Sequence, residues 1–317
     1  MSRVLDPTFE HDTLGGEFRV AVVTDRPDYF GPYADALAGE LQELGARPSV
    51  HNALDGTLPD GEAVVLIGLH RFAPERVRTL GLTCVVAAIQ TEQLSTLMQG
   101  APRFGNRRLA NVLAALPHVD VALDWSRENA TLLRAHHPAV DVVPYGFIEA
   151  NHHPRLDPVT PTYDLAFIGN VDALDGRRRR ILEQLGGCFR IHPIVDDAWG
   201  ADKFAVFSEA SIVLNLHVET SAVFEAPRFY DVLGAGLPLL SEAVHDPWPF
   251  RAGEDFQVTS ILRLERDIEL LLGDEPLRQQ LAAAGRRTAL AHGLDVTARR
   301  LMQGLLVTHQ RLTLPAR

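Results

Sequence analysis

The sequence predicts an α/β chain with two open, doubly wound parallel sheets and a helical C-terminal segment, and three observations carry that prediction. β-branched apolar runs of five to seven residues alternate with helix-period segments; the alternation stops once, in a proline-rich stretch, and restarts; the last forty residues are helical only. Length agrees, because 317 residues exceed the usual single-domain size.

The first half opens with Phe18 to Thr24, FRVAVVT, a buried-strand pattern ending at Asp25. A helix is expected from Pro32 to Leu44, with Ala34, Leu37, Leu41 and Leu44 on its apolar side and Gly45 at its end. A weak strand follows around Ser49 to His51. Stronger ones are expected at Ala63 to Ile67, Thr83 to Ile89, Val119 to Leu123 and Val140 to Val143. Residues 144 to 162, PYGFIEANHHPRLDPVTPT, contain four prolines and little periodicity, the texture of a linker. The expected division is therefore residues 1–146, a connection over 147–162, a second Rossmann-like unit over 163–292, and a terminal helix over 293–317 that packs back on the first unit.

The second half restarts with a strand from Tyr163 to Ile168 that ends in Gly169-Asn170. A helix from Arg177 to Leu185 and a strand from Phe189 to Val195 follow. Residues 211–242 then read as strand, loop, helix, glycine stop and strand. IVLNLHV is the buried strand, Glu219, Thr220 and Ser221 the loop, and a helix beginning near Val223 has Pro227 in its first turn and Gly234 and Gly236 at its end. Leu237 to Leu240 resume as strand. On that helix Phe224, Arg228 and Asp231 are spaced to share one face, while Phe229, Val232 and Leu233 form the face that packs on the sheet. The C-terminal segment reads as a helix from Pro276 to His292 and a second from Val296 to Leu312, with Asp295 as its N-cap.

Composition narrows the function. A net charge of −11, from 41 acids and 30 bases, sets most of the surface against long nucleic acid and anionic lipid. Cys84 and Cys188 form no disulfide or zinc framework, which fits a reducing compartment. No apolar run reaches membrane-spanning length, and the first residues carry Asp, Glu and His where a secretory leader is apolar. A cytoplasmic protein is the expectation. The pairs His136-His137 and His152-His153 lack the spacing of a helical zinc site, so no metal is expected.

The 211–242 unit offers a cation, an acid and helix N-terminal amides together. Such a combination suits a nucleoside diphosphate: the amides and Arg228 would take phosphate, and Asp231 would accept hydrogen bonds from ribose hydroxyls. The competing reading is an ordinary i, i+3 surface pair of Arg228 with Asp231. Gly169-Asn170 would let backbone approach a phosphate, and one cation of the run Arg177 to Arg180, Arg177 or Arg178, would face it. Glu225 either faces a sugar or simply complements the helix dipole. In the first half, Asp25, Asp28, His70 and Glu92 follow strand ends, where open α/β sheets bind ligands, and any of them is a candidate base.

Several segments resemble GT-B glycosyltransferases. VDVALDWSRENATLL with VVPYGF is similar to the last strand, helix and exit turn of their acceptor half; DLAFIGN is similar to the strand and turn opening the donor half; and RFYDVLGAGLPLLSE resembles the helix and strand under the donor nucleotide, in particular in bacterial enzymes related to the spore maturation protein CgeB. The resemblance covers most of the chain from Phe18, most strongly Tyr163 to Leu312. It implies a glycosyltransferase that moves a hexosyl or related sugar from a nucleoside diphosphate donor to an unknown acceptor without metal or other cofactor. By position it implies Glu225 as a catalytic candidate and Asp231 as the contact to the donor ribose; from the residues themselves, Arg228, Asp25 and His70 are the further catalytic candidates and Gly169, Asn170, Arg177, Ser221 and Phe224 the further donor contacts. Related retaining enzymes carry a glutamate where this chain has Asp231 and another where it has Val223, so the paired-glutamate motif is not intact. An epimerase or hydrolase of the same architecture and a non-catalytic nucleotide-sugar-binding protein are the alternatives.

Overall fold

The computed structural model describes residues 18–54, 62–94, 105–149, 160–172, 176–193, 201–218 and 224–313. The first half comprises β1 (Arg19–Thr24), α1 (Pro27–Glu43), β2 (Arg47–His51), β3 (Ala63–Ile67), α2 (Pro74–Leu80), β4 (Val85–Gln90), α3 (Gly105–Ala115), β5 (Val121–Asp124), α4 (Arg127–Leu133) and β6 (Val140–Val142). These strands form one parallel sheet in the order β2-β1-β3-β4-β5-β6. The winding reverses between β1 and β3. At such a reversal the loops at the strand carboxyl ends part and leave a crevice.

The second half contains β7 (Tyr163–Ala166), α5 (Arg177–Leu185), α6 (Ala201–Ser208), β8 (Ala210–Asn215), α7 (Ala226–Gly234), β9 (Leu239–Glu242), β10 (Gln257–Thr259), α8 (Leu264–Gly273), α9 (Glu275–Ala291) and α10 (Leu294–Thr313). Its sheet is parallel, in the order β10-β9-β8-β7. The central strands β3, β4 and β8 are buried on both faces, which explains why they read as unbroken apolar runs rather than alternating ones.

Four local expectations are corrected. α1 begins at Pro27, not Pro32: Pro27 occupies the first turn, where its missing N–H costs nothing, and Pro32 lies inside the helix. No strand spans Phe189 to Val195. Only Ile191 bridges to Leu165, and Pro193, with no N–H to give, ends the ladder one residue after His192 donates to the Leu165 carbonyl; residues 194 and 195 lie outside the described ones. α7 begins at Ala226 rather than near Val223, with Pro227 in its first turn and Phe224 ahead of it. α10 begins at Leu294, so Asp295 sits inside its first turn paired with Arg299 and is not the N-cap.

The last helix crosses back to the first half. Leu301 and Leu305 are fully buried where α10 packs on α1, β4 and β5, each contributing roughly 1.5–3 kcal/mol of burial. The crossing is pinned by backbone. Phe147 donates to the His292 carbonyl at 3.2 Å, Leu294 donates to the Phe147 carbonyl at 3.2 Å, and the buried Thr297 hydroxyl donates to the Pro144 carbonyl at 2.6 Å. Gly146, at φ +95°, lies so close to Leu294 that a Cβ would fall 2.5 Å from its Cα.

Candidate functional site: a cleft between the two sheets

Asn215 ends β8 fully buried, and its amide oxygen accepts from Arg228 Nη1 at 2.7 Å while its amide nitrogen donates to Ser241 Oγ. Arg228 also donates from Nη2 to the Ile168 carbonyl at 3.2 Å. Arg178, from the first turn of α5, arrives on the other side: Nε donates to the Leu216 carbonyl at 2.8 Å and Nη1 to the Asn170 carbonyl at 3.3 Å. Two guanidinium groups are thereby fixed at the exits of β7 and β8. Gly169 permits the arrangement, because a Cβ there would stand 3.1 Å from Arg228 Nη2, and its φ of +141° suits glycine alone.

Glu225, the residue just before α7, answers both cations. Its Oε1 lies 3.0 Å from Arg178 Nη2 and its Oε2 3.0 Å from Arg228 Nη1. Burial pushes the Glu225 carboxyl up, but Arg228 and Arg178 outweigh it and hold the group below the usual glutamate range. Burial lowers Arg178 to about 10, so it keeps its charge at neutral pH.

Arg228 and Asp231 do not form the i, i+3 pair that competes with the ligand reading. Arg228 pairs with Glu225, and Asp231 pairs with Lys203 from α6, a residue the sequence reading passed over. Lys203 is 28 positions from Asp231, and no local pattern announces it. Phe224 packs edge-on to Phe229, with ring centroids 4.9 Å apart, and borders the cleft. Of the arginine run, Arg178 borders the cleft and Arg177 does not: the Arg177 guanidinium is taken by Glu242 and the His217 carbonyl. Successive residues on a helix are turned about 100° apart, so a run of four cannot share one target. Ser221 lies outside the described residues.

The facing wall comes from the first half. His70, only 8% exposed, stands after β3 with Nε2 3.1 Å from Glu92 Oε2, and Glu92 is also bound by Arg108 Nη1 at 2.8 Å. A carboxylate neighbour favours a charged ring, yet burial, with Arg108 and Arg71 nearby, dominates and lowers His70 to about 4. The ring is then neutral at pH 7 and Nε2 carries the proton it gives to Glu92. Asp25 does not border the cleft; its carboxylate is held by Arg71 Nε at 2.8 Å. Asp28 is likewise engaged, by Arg26. A further acid, Asp124, ends β5 and is 1% exposed. It accepts from the Ser126 backbone at 2.7 Å, and burial holds it well above the usual carboxylate range.

Between these walls lies a cleft of about 600 Å³ bordered by His70, Glu92 and Asp124 on one side and by Gly169, Arg178 and Arg228 on the other. Lys203, Asp231, Asn170 and Glu225 also border it. Cations of both halves gather here although the chain carries −11 overall. Among the described residues no group of three or more His, Cys, Asp or Glu is placed to hold a metal ion, and no helix is long and apolar enough to cross a membrane.

Solved structures share this architecture from end to end. Sucrose-phosphate synthase from Thermosynechococcus elongatus is 13% identical, superposes with a TM-score of 0.65, and the match covers 93% of this chain and 100% of that one. The chain has a GT-B fold. The GT-B protein HepE of Anabaena, solved with UDP and glucose, is 12% identical, with a TM-score of 0.58 and coverage of 92% and 99%. A UDP-N-acetylglucosamine 2-epimerase is 10% identical, with a TM-score of 0.57 and coverage of 93% and 97%. At the level of sequence, residues 174–303 match a family model described as glycosyl transferase-like, a span that includes Arg178, Lys203, Glu225, Arg228 and Asp231 of the second GT-B half. No curated protein sequence matches the chain.

Proposed function

We propose that this GT-B chain is a glycosyltransferase that moves a sugar, a hexosyl or related unit, from a nucleoside diphosphate to an acceptor hydroxyl. The observation that carries the reading is the convergence of Arg178 and Arg228 on one point of the interdomain cleft, beside the N-terminus of α7. Negative charge grows on the diphosphate as its bond to the anomeric carbon breaks. Fixed guanidiniums and helix amides at that point stabilise the charge without reorganising. Asp231, steadied by Lys203, takes the ribose hydroxyls. The glycosyl transferase-like match over residues 174–303 supports the same assignment, and membership of the CgeB-related subgroup is proposed from the resemblance of residues 228–242 alone.

The acceptor enters along the first-half wall. Its oxygen attacks the anomeric carbon, the carbon–oxygen bond to the diphosphate breaks, the diphosphate leaves with the electron pair, and the acceptor proton passes to Glu92. His70 orients that carboxylate through Nε2–H. Two guanidiniums and Lys203 supply the positive charge a metal would otherwise bring, so transfer is proposed to be metal-independent. The protein is proposed to work in the cytoplasm.

A thermal-shift screen with UDP, GDP, dTDP, CDP and ADP and their sugars tests the reading. One selective upward shift is expected, because a ligand that binds only the native state raises its melting temperature. Turnover of that sugar nucleotide must then require an acceptor and persist in EDTA. Release of sugar or its epimer without acceptor would assign an epimerase or hydrolase instead, and binding without turnover a non-catalytic protein.

A further inference from the structure

Glu225 has too little freedom to act on a sugar while it bridges two guanidiniums. Both carboxylate oxygens are occupied at 3.0 Å, one by Arg178 and one by Arg228. The donors left on those guanidiniums are the ones a phosphate would use. Arg178 spends Nε on Leu216 and Nη1 on Asn170, and Arg228 spends Nη1 on Asn215 and Nη2 on Ile168. Each guanidinium is thus anchored on its sheet side by neutral oxygens, and the carboxylate lies on the side that borders the cleft. Both cations also flank Phe167, with guanidinium carbons 5.4 and 5.3 Å from its ring centroid. Two like charges, Arg178 buried and Arg228 partly buried, that meet at one carboxylate need an anion between them.

We infer that Glu225 is a positioning residue that stands in for phosphate between Arg178 and Arg228, holding them in register and yielding its place to the donor diphosphate. This rests on the proposed nucleoside diphosphate site and adds to it that binding is an exchange of anions. The neutral anchors keep the guanidiniums where they are during the exchange, so the diphosphate meets a site already formed. The displaced carboxylate, on the residue just before α7, turns toward the open cleft and hydrates. Because the exchange opposes binding, Glu225 weakens affinity for the diphosphate and so favours its release after transfer.

Were Glu225 only a brace for the two guanidiniums, its removal would weaken binding of the diphosphate, whereas removal of a competing anion strengthens it. Calorimetric titration of the full chain with inorganic pyrophosphate and with UDP is the test. E225Q is expected to bind both on the order of tenfold more tightly than wild type, in line with one fewer negative charge beside the ligand. R228A is expected to lose binding. Equal or weaker affinity in E225Q, with wild-type binding intact and R228A defective, would overturn the exchange and leave the diphosphate site standing. Absence of binding in wild type would overturn both. Should E225Q fail to fold, infrared difference spectra of wild type with ¹³C-labelled glutamate carboxylates decide the matter. Pyrophosphate is expected to move a band that is missing from E225D, and an unmoved band would overturn the inference.

Discussion

Arg178 and Arg228 flank one ring, that of Phe167, at 5.4 and 5.3 Å, and close on the same carboxylate from two different helices. Fifty positions apart in the chain, they become a single bidentate cation because β7 and β8 are neighbours in the sheet. Each guanidinium presents planar donors, which a phosphate can accept in pairs. The pair is the electrostatic centre of the cleft.

Replacing Arg228 with alanine removes half of that centre. Turnover is expected to fall on the order of 10²–10³-fold, the usual loss when one donor to developing transition-state charge is removed. R228K is expected to recover little, since an ammonium cannot hold Asn215 and Ile168 together while facing a phosphate. Steady-state kinetics on variants shown by circular dichroism to be folded make the check, and near-wild-type turnover in R228A would remove Arg228 from the mechanism.

His70 should leave a mark on stability against pH. Its folded value of about 4 lies below the ordinary value of 6.5, so between those two the unfolded chain binds more protons than the native one. Stability from this group is complete above pH 6.5 and is lost as pH falls toward 4, by about 3 kcal/mol at most. H70Q, with no proton to take up, is expected to show a flatter dependence of melting temperature over that window. Parallel curves for the two proteins would mean that His70 titrates normally in the fold.

Thr297 tests the return of the last helix. Its hydroxyl is fully buried and donates to the Pro144 carbonyl at 2.6 Å. T297V keeps the shape and removes the donor, leaving a buried carbonyl unpaired at a cost of about 1–3 kcal/mol. Urea unfolding is expected to show that loss in T297V and much less in T297S. A T297V midpoint equal to wild type would mean that water reaches Pro144.

The strands were legible in the sequence where burial on both faces made them continuous. Ala63 to Ile67 is a strand at the expected bounds, and Arg177 to Leu185 is a helix at the expected bounds. Legibility failed where a single residue overruled the pattern. Pro193 cut short the run at Phe189, and Pro27 moved the start of α1 five residues forward.

At the site, Arg228, Asp231, Glu225, Gly169 and His70 are visible as chemistry at the ends of predicted strands and at a helix start. What they touch was not visible. The choice of Arg178 over Arg177 depends on the rotation of α5 about its axis against β8, the tie of Asp231 to Lys203 spans 28 positions, and the burial that neutralises His70 comes from elements on every side.

The sequence by itself determined the two-sheet α/β class, the proline-rich waist, the helical tail and the candidate anion-binding turn, because periodicity, proline and glycine act over a few residues and are written locally. Only the tertiary structure decided which arginine faces the cleft, that Glu225 is shared between two cations, and that Asp25 is turned away to Arg71. Charges interact through space at a few ångströms, and which charges come that close is settled only when the helices and strands that carry them pack.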